Sequence, residues 1–150
     1  MLFPPAVLGE IERACAQSEA RHSGEIRFAI ETALPLAALW HGVSPRERAL
    51  QVFAHLRIWD THHNNGVLIY VLRADRAVEI VADRGISAAV QSAEWETICR
   101  EVERHFRAGR FGDGARAAVA AVADLLGRHF PAGAGNTNEA NELPNQPVLL

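Results

Sequence analysis

Lysine is missing from this 150-residue sequence, in which all fifteen basic residues are arginine. The absence excludes a Schiff-base nucleophile, a pyridoxal-phosphate anchor, the lysine of a phosphate-binding loop and a Ser-Lys pair. Cysteine is scarce as well, since only Cys15 and Cys99 occur and neither has a second cysteine nearby. Neither a CxxC redox motif nor a zinc knuckle can therefore be built from them.

Long apolar runs are also missing. The run at residues 66–72, for example, is far shorter than the roughly 20 residues of a membrane-spanning helix. At the N-terminus, Glu10 and Glu12 interrupt the sequence before an apolar stretch reaches signal-peptide length. The net charge of −3 gives no overall electrostatic footprint for nucleic acid or for an anionic membrane. We expect a cytoplasmic protein with no transmembrane segment and no nucleic-acid partner, either free or peripheral to a membrane.

Hydrophobic periodicity predicts a mixed α/β domain. Residues 25–31 alternate like a strand with one face on a core, and residues 66–73 form a nearly continuous apolar run typical of a strand covered on both faces. A tight turn then leads into residues 76–83, which predicts an antiparallel hairpin. A helix between the first two strands makes them parallel by a crossover connection.

Helix-start signals complete this outline. Ser44 and Pro45 are a cap and a first helical residue, and Asp113 is predicted to cap the last helix. We interpret the apolar segment 33–43 as an irregular packed connection. Residues 1–131 form the predicted domain, whereas residues 132–150 are rich in asparagine and predict a C-terminal tail that is flexible, folds back on the domain or joins a partner's sheet edge.

Four motifs occur in an order and spacing that resemble the TPM domain family. They are NNGVLIYV at 64–71 with VADRGI at 81–86, HFRAGRFGDG at 105–114, HFP at 129–131, and NELPN at 141–145. The resemblance spans residues 24–145 and implies a three-layer α/β/α sandwich around a small mixed sheet. Two departures are expected: the chain lacks the leader and membrane anchor of many members, and Ala82 replaces a usual glycine.

The resemblance also implies function. The family includes thylakoid-lumen proteins of photosystem repair, for which phosphatase activity and calcium binding have been described, and bacterial envelope proteins. Bacterial members are often associated with LemA-type membrane proteins. An accessory binding or assembly module with a divalent-cation loop is thus the leading hypothesis, and a weak metal-assisted acid phosphatase is the alternative. A third hypothesis is a structural module whose segment 34–43 docks on a membrane protein.

The loop at Asp83 is the candidate metal site, because it follows a strand at the rim of the sheet, where open α/β sheets tend to bind ligands. Calcium or magnesium would take oxygen ligands, and calcium prefers six to eight. We therefore predict that Asp83 is helped by backbone carbonyls and by four further side chains, those of Asp60, Asn64, Asn65 and Asp113. A purely structural role for Asp83, capping the turn at Gly85, is the simpler alternative.

Phosphate-ester hydrolysis would also need a positive clamp for the phosphoryl group. Arg73, Arg76 and Arg84 are predicted to cluster about the hairpin, and Arg84 is the catalytic candidate together with Asp83. The adjacent His62 and His63 are expected to diverge in an extended loop, which prevents them from chelating one ion. No GxSxG, HExxH or CxxxxxR motif is present, so no standard hydrolase class is indicated.

Overall fold

A computed structural model describes residues 3–131 and 142–150, in which six helices and four strands are found. The strands are β1 (Glu25–Glu31), β2 (Gly66–Leu72), β3 (Ala77–Ala82) and β4 (Val148–Leu149). The helices are α1 (Pro5–Ser18), α2 (Leu36–Trp40), α3 (Pro45–His55), α4 (Arg84–Ser87), α5 (Ser92–Arg107) and α6 (Phe111–His129).

The four strands form one mixed sheet in the order β3-β2-β1-β4. β1 pairs with β2 in parallel, from Glu25 opposite Gly66 to Glu31 opposite Leu72. β2 pairs with β3 in the predicted antiparallel hairpin. The mixed α/β fold read from the sequence is therefore confirmed, and the two strands with the longest pairing lie at the centre of the sheet.

Helices cover both faces of this sheet. On one face, β1–β3 and the helices α1, α5 and α6 enclose a large apolar core that includes Phe28, Ile69 and Phe106. On the other face, a smaller core contains Val52 of α3 and Leu68 of β2. These two cores give the three layers expected from the family resemblance.

β1 differs from its prediction as a strand with one buried face. Six of its seven residues are buried, including both terminal glutamates, and Arg27 is half-buried. The alternation in the sequence comes from charged side chains that are covered by the second layer and hydrogen-bonded there. Glu31, for example, is only 5% exposed and is bound by Arg48.

The connection from β1 to α3 contradicts the expectation of a packed, irregular segment. It contains the short helix α2, which follows Pro35 and is closed by Gly42 in a left-handed conformation at φ +67°. Leu36 is 85% exposed and Trp40 is 88% exposed. No described residue forms a layer over α2, so the apolar composition of this segment does not lead to burial.

Helix starts agree only in part with the predicted caps. The Ser44 side chain accepts a hydrogen bond from the Glu47 N–H at 3.1 Å, as predicted. Asp113 is not the cap of α6, because this helix begins two residues earlier at Phe111. The Phe111 ring stacks on Phe106 with a centroid distance of 5.2 Å, and this packing extends the helix into the core.

The last nine residues lie on the domain itself. β4 pairs in parallel with Ala29 and Ile30 of β1, and Leu143 is buried in the smaller core. The Arg27 guanidinium donates hydrogen bonds to the carbonyl oxygens of Pro144 at 2.9 Å and Gln146 at 2.6 Å. Of the predicted tail, residues 132–141 lie outside the described residues. Within the described part of the chain, no helix is long and apolar enough to cross a membrane.

Candidate functional site

The sheet has two ends that differ in chemistry. We call the end at which β1 and β2 begin and β3 finishes the Asp83 end, because Asp83 directly follows β3 there. We call the opposite end, which carries the turn between β2 and β3, the hairpin end. The Asp83 N–H donates to the Gly66 carbonyl at 2.8 Å and thereby extends the ladder between the two strands by one pair.

The Asp83 carboxylate has one satisfied and one unsatisfied oxygen. Oδ1 accepts a hydrogen bond from the Arg84 N–H at 2.8 Å and so caps the one-turn helix α4. Oδ2 is buried and has no hydrogen-bond partner among the described residues. A buried anionic oxygen without a partner is costly, so this atom needs a ligand such as a cation or a water molecule.

Gly85 brings a second loop, residues 60–65, against the residues that follow β3. Its N–H donates to the Asn64 carbonyl at 2.9 Å. A Cβ atom at position 85 would lie 2.5 Å from the carbonyl oxygens of both His63 and Asn64, so only glycine permits this approach. Backbone carbonyl oxygens of the 60–65 loop are therefore close to the residues that follow β3, as the predicted oxygen site requires.

Asn65 fastens the same loop to the start of β1. Its side-chain Nδ2 donates to the Ser23 carbonyl at 2.5 Å, and its own carbonyl accepts the Glu25 N–H at 2.9 Å. The amide oxygen Oδ1 is buried without a partner among the described residues. Asn64 adopts the left-handed region with φ +52°, which turns the loop into β2.

Two of the predicted ligands are engaged elsewhere. Asp60 is exposed and bound to Arg57 at 2.9 Å. Asp113 is bound to Arg116 at 2.5 Å in the first turn of α6. The other end of α6 meets the start of β1, where the Ser23 N–H donates to the Phe130 carbonyl. A helix of this length spans roughly 28 Å, so Asp113 lies at the hairpin end and cannot share a site with Asp83.

The three arginines predicted to cluster are also separated. Arg73 and Arg76 flank the hairpin turn, whereas Arg84 follows β3 at the Asp83 end. The six residues of β3 alone span about 20 Å, so the pairing direction of the hairpin prevents one common clamp. Arg84 is exposed, and its side chain has no ion-pair partner in residues 3–131 or 142–150.

The histidine pair differs from its prediction as well. The rings of His62 and His63 do not diverge, because their centroids lie 4.6 Å apart in an edge-to-face contact. Both residues are exposed. Among the described residues, no group of three or more His, Cys, Asp or Glu side chains could hold a metal ion. A cation at the Asp83 end would therefore depend on Asp83 and on main-chain and amide oxygens.

A buried polar cluster next to this site was not predicted. Burial, together with the charge and hydrogen bonding of the neighbouring Glu25 carboxyl group, raises the pKa of Glu19 to about 7. His22 is fully buried, and burial lowers its pKa to about 4. The only sequence signal was a glutamate at the start of a strand, which ordinarily indicates solvent. The cluster therefore places two interacting carboxyl groups at the start of β1, where the Glu25 N–H binds the Asn65 carbonyl.

The C-terminal segment is tied to the same end of the sheet. The Glu142 N–H donates to Glu25 Oε1 at 2.8 Å. In turn, the Glu142 carboxylate accepts the His62 N–H, with the shorter distance 3.0 Å to Oε2. Glu142, from the NELPN motif, therefore links β1 with the 60–65 loop.

A separate groove of about 470 Å³ runs along the outer edge of β3, between α3 and α5. Side chains already bind the main-chain groups of this edge: Glu103 accepts the Val78 N–H at 3.0 Å, and Arg46 donates to the Ile80 carbonyl at 2.6 Å. This arrangement protects the edge strand from pairing with another chain.

Comparisons with known proteins agree with this architecture. The family model of the TPM domain matches residues 2–125. The chain is similar to the NMR structure of the BA42 protein from the psychrophilic bacterium Bizionia argentinensis, with 28% identity and a TM-score of 0.83, covering 98% of this chain and 94% of that chain. A comparison with curated proteins gives no significant match.

A second solved structure supports the fold alone. It is the N-terminal domain of a protein from P. gingivalis, determined by solution NMR, and it is 18% identical with a TM-score of 0.69. The match covers 89% of this chain and 83% of that chain. The arrangement of helices about the sheet is thus shared at low sequence identity.

Proposed function

The chain belongs to the TPM domain family, and on that premise we propose that it is an accessory binding module with a divalent-cation site at the Asp83 loop. The observation that carries the proposal is the buried Asp83 Oδ2, which has no partner among the described residues. Calcium or magnesium would supply the missing positive partner.

Oxygen atoms of the two loops that meet at Gly85 support this proposal as candidate ligands. Asp83 Oδ2 would be the anionic ligand, and the candidate neutral ligands are the His63 carbonyl, which lies against Gly85, and the unpaired Asn65 Oδ1 of the same 60–65 loop. Asp60 and Asp113 are omitted from the ligand set because each is paired with an arginine. With a single carboxylate, we expect the weak affinity of about 10⁻⁴–10⁻³ M seen for calcium sites in extracellular modules.

The test is a calorimetric titration of the metal-free protein with calcium and then with magnesium. The informative variant is Asp83→Asn, because asparagine still caps α4 but provides no anionic oxygen. Asp60→Asn is the matched control at an exposed carboxylate. We expect saturable binding in the wild type and the control and none in Asp83→Asn. Absence of heat and of a melting-temperature shift at millimolar calcium in the wild type would refute the cation site.

A metal-assisted phosphatase is the second candidate, favoured by the exposed Arg84 next to Asp83. In this mechanism, a cation held by Asp83 would activate a water molecule for attack on phosphorus, Arg84 would bind the phosphoryl oxygens, and the bond to the alcohol would break, with the alcohol oxygen taking a proton from water. The test is calcium- or magnesium-dependent hydrolysis of p-nitrophenyl phosphate, compared between wild type and Arg84→Gln. Turnover that is equal in both proteins would come from a contaminant or from another site.

As the partner of the accessory module we propose an envelope membrane protein of LemA type. The support is the family's association with such proteins. Capture of a purified LemA-type protein by wild type but not by Asp83→Asn would connect partner binding with the cation loop. Capture by both would separate the two, and capture by neither would eliminate this partner.

A further inference from the structure

Exposed apolar side chains are concentrated at the hairpin end of the molecule. α2 follows the end of β1 and presents three of them, with exposed fractions of 85% for Leu36, 57% for Leu39 and 88% for Trp40. β4 runs parallel to β1, so Leu149 lies opposite Ile30 at the same end and is 62% exposed. This clustering is unlike the scattered apolar residues of an ordinary protein surface.

The fold holds α2 outward from both sides. Before the helix, Leu34 packs against the smaller core. After it, the Val43 N–H donates to the Ala38 carbonyl at 2.9 Å, and Arg48 of α3 binds Glu31 at the end of β1. The apolar side chains of α2 are thus presented on an anchored support.

Four arginines lie at the same end of the sheet as this apolar group. Arg73 and Arg76 flank the turn, and the Arg76 side chain donates to the Arg107 carbonyl at 3.4 Å, which brings the end of α5 beside the turn. Arg110 lies in the short connection between α5 and α6, directly before Phe111. None of these four arginines has an ion-pair partner in the described part of the chain.

Fewer acidic charges offset these arginines. Asp75 and Glu47 are exposed there without an arginine partner, and Glu103, which accepts the Val78 N–H, keeps its negative charge. Glu31 and Asp113 are each bound to an arginine. Four unpaired arginines against these three carboxylates leave a small excess of positive charge at the hairpin end, although the whole chain has a net charge of −3.

We propose that the hairpin end docks on the surface of an anionic phospholipid bilayer. Leu36, Leu39 and Trp40 would enter the boundary between headgroups and acyl chains, a depth of about 5–10 Å and the level at which tryptophan is enriched. Arg107 and Arg110 would bind headgroup phosphates, since a guanidinium pairs with phosphate through two parallel hydrogen bonds.

A second copy of the chain is a poorer occupant for this surface. A stable protein interface buries about 800 Å² per partner, whereas the apolar group on α2 is three side chains on a helix of five residues. Shallow insertion into a bilayer needs only such a small apolar group, provided that basic side chains add electrostatic attraction. The combination of small apolar area and unpaired arginines thus favours the lipid surface.

The apolar part is tested by co-sedimentation with phosphatidylcholine vesicles that contain phosphatidylglycerol. We expect Trp40→Ala to lower the partition coefficient about tenfold or more, because a large aromatic side chain no longer enters the bilayer. The matched control is Trp59→Ala, since Trp59 is 48% exposed but follows α3 at the Asp83 end. An equal loss in both variants, with melting temperatures unchanged, would overturn the assignment to α2.

The charged part is tested in the same assay. Each arginine near an anionic surface contributes roughly fivefold, so Arg107→Gln with Arg110→Gln should reduce partitioning about 25-fold. The control is Arg13→Gln with Arg128→Gln, two exposed arginines away from the hairpin end. We also expect weaker binding to vesicles of phosphatidylcholine alone. Equal binding to both kinds of vesicle would refute the electrostatic contribution.

Two further outcomes would show that the hairpin end binds something other than a lipid surface. If the wild type does not sediment with anionic vesicles but forms a dimer that Trp40→Ala abolishes, the surface is an interface between two copies. If it sediments only with vesicles that carry a reconstituted membrane protein, α2 recognises protein. Either result overturns the proposal, while leaving the cation site at the opposite end untouched.

Discussion

Arg48 binds both carboxylate oxygens of Glu31, from Nε to Oε1 and from Nη2 to Oε2, each at 2.9 Å. The Tyr70 hydroxyl donates to Glu31 Oε1 at 2.6 Å. Although burial opposes ionisation, the hydrogen bonds from Arg48 and Tyr70 lower the pKa of Glu31 below its ordinary value. The pair joins α3 to the end of β1 and so fixes the base of the segment that carries α2.

Replacing Arg48 by methionine should therefore destabilise the protein, because it leaves the Glu31 carboxylate buried without its counter-ion. The Glu31 side chain is 6% exposed and that of Arg48 is 22% exposed. We expect a loss of roughly 3 kcal/mol in the free energy of unfolding, the usual cost of breaking a buried pair. Urea denaturation followed by circular dichroism measures it.

Arg100→Met is the matched control for this change. Arg100 pairs with Glu96 on the exposed side of α5, and both side chains are more than half exposed. Its removal should cost about 0.5 kcal/mol or less. If Arg48→Met and Arg100→Met had the same small effect, the Glu31 pair would not be a stabilising link between α3 and β1.

The parts of the fold that could be predicted are those determined locally. The apolar run of β2, the hairpin after it and the Ser44 cap depend on neighbouring residues alone, and all three are present. The exposure of Trp40 could not be predicted, because apolar composition indicates burial unless no other element covers the segment. That condition depends on the whole topology.

Part of the candidate site could also be predicted from the sequence. Asp83 and the 60–65 loop meet because the hairpin register places Asp83 beside Gly66, and this register follows from the strand pattern. The separation of Asp113 from Asp83 depends on the direction in which α6 crosses the sheet, which periodicity does not encode. The pairing of Glu19 with Glu25 likewise depends on how α1 ends against β1.

Glu19 should make the protein less stable as the pH rises. Its pKa in the folded protein is about 7, above its ordinary value of 4.5, because burial and Glu25 favour the protonated form. The folded state therefore binds the proton more tightly than the unfolded chain. The resulting stabilisation is complete below pH 4.5 and is lost as the pH rises through 7.

Glu19→Gln isolates this effect, because glutamine can still hydrogen-bond with Glu25 but does not titrate. We expect the variant to gain stability relative to the wild type between pH 4.5 and pH 7, measured by urea denaturation at several pH values. The lowered pKa of His22, about 4, has the opposite effect: its contribution to stability is lost as the pH falls from 6.5 through 4. This contribution is the same in both proteins and cancels in their difference. A stability difference independent of pH would contradict the raised pKa of Glu19.

Gly85→Ala should open the contact between the 60–65 loop and α4. The added Cβ would lie 2.5 Å from two carbonyl oxygens, and backbone atoms cannot turn aside as a side chain can. We expect a destabilisation of roughly 2 kcal/mol, typical of overpacking. Gly9→Ala is the control, since Gly9 lies within α1 and should gain roughly 0.5–1 kcal/mol from the better helix former. Thermal denaturation of both variants measures these changes. If Gly85→Ala left the melting temperature unchanged, the close approach of the 60–65 loop to Gly85 would be disproved.

Arg27→Met should release the C-terminal segment from the edge of the sheet. The Arg27 guanidinium donates hydrogen bonds to the Pro144 and Gln146 carbonyls. Burial lowers the pKa of Arg27, and these two main-chain oxygens are the hydrogen-bond partners of its charged group. Beyond them, the Leu150 N–H donates to the Ile30 carbonyl at 2.8 Å and reports whether β4 is paired.

Hydrogen exchange resolved by NMR gives the readout for this change. Hydrogen bonds to a charged group contribute about 1.5–3 kcal/mol, so the protection of the Leu150 amide should fall tenfold or more, while that of β2 amides falls less. Arg13→Met on the exposed face of α1 is the control and should leave Leu150 unchanged. Undiminished protection of Leu150 in Arg27→Met would mean that main-chain pairing and the buried Leu143 hold β4 without the arginine, because these are the contacts that remain.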